Sequence, residues 1–168
     1  SGVFSTIADP SFSGLAGIAV DRLGTVYVVN SGNNTISKIL AGGNVSLIAD
    51  PSISSPRAIA VDSLGSIYIP SLSGNSITKI TSGGAVTVIT DASIDTPYGI
   101  AVHQNGSIFV ANYGNSTFSR IAPGTGAATV FAPSAIFQRP FGITVGTGEN
   151  VYVIDNATND VYKIAPSQ

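Results

Sequence analysis

A repeat of about 41 residues limits the folds open to this chain more than any other feature of its sequence. The pattern of residues 56–96 recurs 41 positions earlier in 15–55 and, with two added residues, in 97–139. A shorter copy occupies 140–168. Periods of this length are typical of proteins that stack or radially arrange copies of one unit. We therefore expect one repetitive domain over 1–168, with the repeats 15–55, 56–96, 97–139 and 140–168 plus 1–14.

Each repeat contains four short segments with the residue pattern of β-strands. The first is apolar throughout, as in 59–61, and the second is rich in β-branched and aromatic residues, as in 67–69. The third alternates strictly, as in Ile77-Thr78-Lys79-Ile80, and a glycine-rich turn leads to the fourth. Such runs between Gly, Asn and Ser clusters predict strands joined by hairpins. No segment shows a helical period, so the sequence predicts an all-β fold.

The fourth strand of the last repeat is missing after residue 164, and a matching segment lies at the other end of the chain. Residues 4–10 align with 45–51 at the same 41-residue offset. The pattern predicts a β-propeller of four four-stranded blades, with the N-terminal strand closing the last blade. Small inner-strand residues such as Gly99 and Ala101 favour four blades that close within one chain. The alternative is that chains exchange the displaced strand and build a larger ring or an open assembly.

Composition excludes several functions and leaves others open. The formal net charge is −2 with only seven scattered basic residues, which argues against nucleic-acid binding. No apolar run approaches the roughly 20 residues of a membrane span. Cysteine is absent, so disulfides and thiolate metal sites are excluded. The low charge leads us to expect a secreted or cell-surface protein, and the absence of Met and of a signal peptide suggests a processed form or a fragment.

The repeat also resembles a known family. Gly17-Ile18-Ala19-Val20-Asp21, Val26-Tyr27-Val28 and Gly32-Asn33-Asn34 resemble the NHL-repeat propellers and, more broadly, the streptogramin-lyase-like bacterial propellers, over the whole chain. Members of the family usually have six or seven blades, whereas this chain supplies four. The resemblance to the lyases implies a catalytic His with acidic metal ligands on the loop face. His103 and Glu149 instead lie in hairpin turns, so we expect no lyase activity and assign no catalytic residue.

One candidate ligand site lies on the face formed by the loops that enter each inner strand. Three diverged positions there hold a cation and two aromatic rings, and the second strands end nearby in amide, carboxylate and aromatic groups. The predicted ligand-binding residues are Arg57, Tyr98, Phe141, Asn30, Asn112, Tyr113 and Asp155. Loops of this kind carry most propeller binding sites, and the mixture suits a small polar ligand or a sugar. The alternative is a plain solvated loop.

A second candidate site lies at the opposite end of the inner strands. Asp21, Asp62 and His103 occupy equivalent positions, and two carboxylates with an imidazole would suit a divalent metal. The alternative is that each Asp caps its own turn by accepting backbone N–H bonds, a frequent role of Asp in turns. The turn cap is the preferred interpretation, so we expect no cofactor, with a divalent metal as the alternative.

These observations predict a non-enzymatic extracellular propeller that binds a protein or a carbohydrate through the loop face. A structural building block of a surface assembly or filament, formed by self-association, is the first alternative. A metal-dependent lyase or hydrolase of the streptogramin-lyase type is the second.

Overall fold

The computed structural model describes residues 5–124, 126–132 and 136–165. It contains four antiparallel sheets, one per repeat. Blade 1 contains β1 (Leu15–Val20), β2 (Val26–Asn30), β3 (Thr35–Ile39) and β4 (Val45–Ala49). Blade 2 contains β5 (Ala60–Val61), β6 (Ile67–Ser71), β7 (Ser76–Ile80) and β8 (Val86–Thr90). Blade 3 contains β9 (Pro97–Val102), β10 (Ile108–Asn112), β11 (Thr117–Ile121) and β12 (Ala128–Ala132). Blade 4 contains β13 (Pro140–Val145), β14 (Val151–Asp155) and β15 (Asp160–Ile164). The prediction of an all-β propeller with four blades is confirmed.

The first hairpin of blade 2 shows why these segments fold as predicted. Gly65 adopts a φ of 79°, a left-handed conformation that favours glycine, and its N–H donates to the carbonyl of Asp62 at 3.1 Å. The turn reverses the chain so that Ala60 pairs with Tyr68. Among the described residues, helical structure is limited to the 3-10 turn Thr147–Glu149, and none of it has the length and apolar character to cross a bilayer.

The hydrophobic core lies between the blades. Three clusters of buried side chains occupy the junctions of blades 1 and 2, 2 and 3, and 3 and 4. At each junction, an aromatic residue from the second strand of one blade packs against the following blade. These residues are Tyr27, Tyr68 and Phe109. Burial of these apolar surfaces stabilises the stacking of sheets. The four blades are therefore held together by three described interfaces.

Blades 1 and 4 do not close on each other, which corrects the predicted closed ring. Inner strands pack in the order β1 on β5, β5 on β9 and β9 on β13, while β13 and β1 form no comparable contact. A Cβ on Gly17 would meet Ala58 of the next blade, whereas a Cβ on Gly142 would meet only Ile154 of its own blade. Ile18 is 70% exposed, while the equivalent Ile59 and Ile100 are 7% and 6% exposed. The four blades form an open arc.

The predicted closing strand is also corrected. The fourth sheet has three strands in the order β13-β14-β15, and residues 5–9 form no strand. Phe4, the first residue of the predicted strand, lies outside the described residues. The physical reason is the distance between the first and last blades. The N-terminal segment leaves from blade 1, and the edge strand that it would pair with lies in blade 4, whose inner strand β13 packs on β9 and forms no comparable contact with β1.

Candidate functional site

The loop face carries a central pocket of about 250 Å³ where the four inner strands converge. Its wall includes the side chains of Arg57, Tyr98 and Phe141 together with small backbone-rich segments of every blade. The structure thus brings together three of the seven residues predicted for the ligand site. Tyr98 and Phe141 are half-buried, and Arg57 is exposed with its Nη1 3.5 Å from the Ser31 hydroxyl.

Aromatic rings line one side of this pocket. The Tyr98 and Phe141 centroids lie 3.9 Å apart with planes inclined by 30°, and Tyr113 lies 6.0 Å from Tyr98. Tyr113 therefore adjoins the pocket through its contact with Tyr98. Contacts of this kind between ring faces stabilise aromatic pairs beyond their buried area. The result is a short ladder of three half-buried rings.

Arg139 belongs to this surface and was missed by sequence reasoning. Its guanidinium carbon lies 5.7 Å from the Tyr113 ring centroid, close enough for a cation–π contact. The signal was present in the repeat, since the equivalent positions in the other three repeats hold the uncharged Gly14, Ser55 and Thr96. We call Arg57, Tyr98, Tyr113, Arg139 and Phe141 the aromatic–arginine face.

A glycine explains why the two central rings touch. Gly99 follows Tyr98 in β9, and a Cβ at Gly99 would overlap the carbonyl oxygen of Phe141. Because Gly99 has no side chain, the backbones of β9 and β13 can approach closely where these strands enter their blades. Tyr98 and Phe141, which precede equivalent glycines, are thereby brought into contact. The local sequence Tyr-Gly and Phe-Gly thus builds the ladder.

Asn30 and Asn112 lie inside their blades and not on the loop face, which corrects their predicted location. Both are 0% exposed. The Asn30 amide donates to Thr35 Oγ1 at 3.1 Å and to Ser37 Oγ at 2.8 Å, and Asn112 donates to Thr117 and Ser119 at the same two distances. These bonds tie the end of each second strand to its third strand.

Asp155 is also buried, with 2% exposure, and its carboxylate holds the loop that enters blade 4. Oδ2 accepts the N–H groups of Gln138 at 2.7 Å and Arg139 at 3.0 Å, while Oδ1 accepts those of Ala157 at 2.9 Å and Thr158 at 3.2 Å. Burial alone would raise the pKa of this carboxyl, but the backbone N–H bonds outweigh burial and hold the pKa below its usual value. Asp155 positions Arg139 of the aromatic–arginine face.

Asp21 and Asp62 cap their turns, as the preferred interpretation predicts. Asp62 Oδ1 accepts the N–H groups of Leu64 and Ser66, each at 2.9 Å, and Oδ2 accepts the Tyr68 hydroxyl at 2.9 Å. Asp21 makes the same set of bonds in blade 1. Burial by itself raises the pKa of Asp62. The hydrogen bonds from Ser66, Tyr68 and Leu64 lower this pKa by a larger amount, so the pKa lies below its usual value.

His103, the third member of the predicted metal site, faces blade 4 instead. Its Nδ1 lies 3.9 Å from Glu149 Oε1, and Arg120 Nη2 lies 3.2 Å from the same oxygen. Asn105 donates to Glu149 as well. Across the described residues, no three His, Asp or Glu side chains are grouped closely enough to hold a metal. Sequence reasoning missed this cluster, although His103 and Glu149 are each the only residue of their type in the chain.

The side chains of the aromatic–arginine face are suited to binding a ligand through noncovalent contacts. Ring faces pack against apolar or C–H surfaces, and the two guanidinium groups can each donate several hydrogen bonds to a carboxylate or sulfate. Neither a general base nor a nucleophile with a base beside it lines the pocket.

Comparison with known proteins finds similarity in solved structures. No family model and no curated protein matches the chain. A nidogen/laminin complex structure matches with a TM-score of 0.82 and 21% identity over 96% of this chain and 63% of that chain. A streptogramin B lyase structure matches with a TM-score of 0.78 and 22% identity over 92% of this chain and 55% of that chain. A gluconolactonase-type structure matches with a TM-score of 0.76 and 16% identity over 96% of this chain and 63% of that chain.

These neighbours confirm the resemblance at the level of the fold, to streptogramin-lyase and NHL-repeat propellers. The chain spans between 55% and 63% of the lengths of the three neighbours named. Their printed functions differ, from lyase to protein complex, so the fold does not choose among them.

Proposed function

We propose that this chain is a non-enzymatic, extracellular binding propeller whose aromatic–arginine face recognises a carbohydrate bearing acidic groups. The observation that carries the proposal is the Tyr98–Phe141 ring pair, 3.9 Å between centroids, in the wall of a pocket that Arg57 also lines. A pocket of about 250 Å³ suits one sugar ring. Ring faces pack against the C–H face of a sugar, and a guanidinium pairs with a carboxylate in a bidentate manner.

The test is isothermal titration with two probes of equal length, trigalacturonate as the acidic one and maltotriose as the neutral one. We expect trigalacturonate to bind and the double variant Arg57→Ala with Tyr98→Ala to weaken binding at least about tenfold, which corresponds to about 1.4 kcal/mol. Tyr98→Phe keeps the ring and should retain most of the affinity. Arg22→Ala, an exposed arginine at the other end of the inner strands, is the matched control.

Unchanged affinity in the double variant would place the ligand elsewhere and reject the site. Absence of binding by both sugars at millimolar concentration would reject carbohydrate and favour the protein ligand that the sequence left open. The neighbour determined as a nidogen/laminin complex supports a protein ligand only as an analogy of fold.

A structural building block is the second candidate, and a specific observation favours it. The open arc leaves apolar side chains of blades 1 and 4 exposed, among them Ile18 and Val161. Contiguous exposed apolar surface marks interaction sites in soluble proteins. A metal-dependent lyase has no comparable support, because the pocket wall holds no group of metal-ligating side chains among the described residues.

A further inference from the structure

One basic side chain at a blade junction is left without a partner. The third strands of blades 1, 2 and 3 each place a basic residue opposite the buried aromatic residue of the second strand, and these basic residues are Lys38, Lys79 and Arg120. All three are half-buried. Arg120 Nη2 lies 3.2 Å from Glu149 Oε1 of blade 4, and Lys79 Nζ lies 5.3 Å from the Tyr68 ring centroid. The Lys38 ammonium makes no hydrogen bond, ion pair or cation–π contact with any other described residue.

The repeat register explains why the Lys38 ammonium is unpaired. Glu149 lies in the first hairpin turn of blade 4, which faces the third strand of blade 3. In the first hairpin turn of blade 2, which faces the third strand of blade 1, the equivalent position is Gly65. The Asp62 carboxylate of that turn accepts bonds from its own turn and from the Tyr68 hydroxyl. The first turn of blade 2 therefore supplies no carboxylate to Lys38.

A cavity occupies the space beside Lys38. It measures about 560 Å³ and lies between the first turns of blades 1 and 2, at the opposite end of the inner strands from the aromatic–arginine face. An adjoining cavity of about 410 Å³ shares four wall residues with it, namely Tyr27, Lys38, Gly65 and Ser82. Both volumes are typical of small-molecule sites, which measure about 300–1,000 Å³. All of these wall residues belong to blades 1 and 2, whose junction is internal to the chain.

The wall of the larger cavity is rich in apolar side chains that the fold leaves exposed. Leu23, Leu40 and Leu64 line it and are 86%, 46% and 80% exposed, and the buried Tyr27 lies between blades 1 and 2. Clustered exposed apolar side chains mark binding surfaces in soluble proteins. The cavity therefore offers an apolar surface next to the unpaired ammonium of Lys38.

The charged groups of this cavity favour a ligand with one negative charge. Lys38 and Arg22 are the positive groups of its wall, and Asp21 is the negative group. Asp21 Oδ1 already accepts two backbone N–H groups at 2.9 Å each. Asp50 lines the adjoining cavity and accepts the N–H and hydroxyl of Ser52. Its carboxylate would repel a more highly charged anion.

We propose that this cavity binds an amphipathic monocarboxylate, of the chemical class of a medium-chain fatty acid. The ligand carboxylate pairs with the Lys38 ammonium over Gly65, as Glu149 pairs with Arg120 at the junction of blades 3 and 4. The apolar tail packs against the leucine side chains and is removed from water. The alkyl stem of Lys38 adds to the apolar surface while its ammonium meets the carboxylate.

Isothermal titration with three probes tests the head and the tail of the ligand separately. Decanoate, used below its micellar concentration, carries both features. Acetate carries only the carboxylate, and decyltrimethylammonium joins the same tail to a positive head. We expect decanoate to bind and the other two probes to bind at least about tenfold more weakly, because each lacks one of the two contacts.

Two pairs of variants locate the site. Lys38→Ala should weaken decanoate binding at least about tenfold, and Lys38→Arg, which keeps the charge, should retain most of the affinity. Lys79→Ala, the equivalent change in blade 2, is the matched control. Gly65→Glu places a carboxylate of the chain beside Lys38 and should abolish binding. Glu149 shows that this turn position accepts a glutamate, with a φ of 58° against 79° at Gly65. Gly106→Glu, at the same position of blade 3 with a φ of 88°, should leave the affinity unchanged.

The double variant Arg57→Ala with Tyr98→Ala should bind decanoate as the wild type does, so this inference and the proposed function can fail separately. Unchanged decanoate affinity in Lys38→Ala would overturn the inference, and so would equal affinity for decanoate and decyltrimethylammonium. Acetate bound as tightly as decanoate would show an anion site and reject the apolar tail. Absence of decanoate binding at millimolar concentration would reject the fatty-acid class.

Discussion

Asp155→Asn is the substitution whose effect follows most directly from the structure. Each carboxylate oxygen accepts at least two backbone N–H groups, from Gln138 and Arg139 on one side and from Ala157 and Thr158 on the other. An amide can present an oxygen to only one of these pairs, and its NH₂ group then faces the other pair of donors. The variant therefore leaves two N–H groups beside a donor in a site that is 2% exposed.

The expected cost can be estimated from these bonds. Each buried donor left without an acceptor costs about 1–3 kcal/mol. Two such donors together should lower the free energy of unfolding by about 3 kcal/mol, because the exposed position of Gln138 lets water satisfy part of the loss. With a urea m-value of about 2 kcal/mol per molar, the unfolding midpoint should fall by about 1.5 M. Asp160→Asn, an exposed aspartate of the same blade, is the control and should change the midpoint little.

The pH dependence gives a second readout of the same prediction. The folded pKa of Asp155 lies below its usual value, so its stabilising effect is complete above about pH 4 and is lost as pH falls through the lowered pKa. The stability difference between wild type and Asp155→Asn should therefore shrink as the solution is acidified below about pH 4. A cost under about 1 kcal/mol, or a difference independent of pH, would refute the assignment of Asp155 as a loop anchor.

Two further substitutions test the turn cap and the blade contact. Tyr68→Phe removes the 2.9 Å bond to Asp62 and should cost about 1 kcal/mol in urea unfolding. Burial and the Asp62 carboxylate raise the Tyr68 pKa, so wild type should lose stability as pH rises well above about 10, and the variant should lose less. Gly99→Ala should cost about 2 kcal/mol because its Cβ would overlap the Phe141 carbonyl oxygen, while Gly42→Ala, with open space around it, should cost under about 0.5 kcal/mol. Equal midpoints for the two glycine variants would count against the close approach of blades 3 and 4.

The local sequence was sufficient to predict the β-strands and the turns between them. The 41-residue repeat predicted the fifteen strands that the structure describes, because strand formation depends on the alternation and β-branching of neighbouring residues. The Asp62 turn cap followed for the same reason, since its partners lie two to six residues away. The aromatic residues Tyr98 and Phe141 could be placed together because equivalent repeat positions converge on one axis.

The tertiary structure decided whatever depends on the rotation between blades and on which way a side chain turns. Repeat alignment put Asn30 and Asp155 at a loop face, yet both point into the protein, where polar groups of the next loop or strand satisfy them. It also placed His103 near an axis, whereas the chain brings it to Glu149, which is 46 positions away and has no counterpart in the repeat. The opening between blades 1 and 4 has the same origin. Every blade carries similar strands, and the angle between blades is set by packing at the junctions, which no single repeat contains.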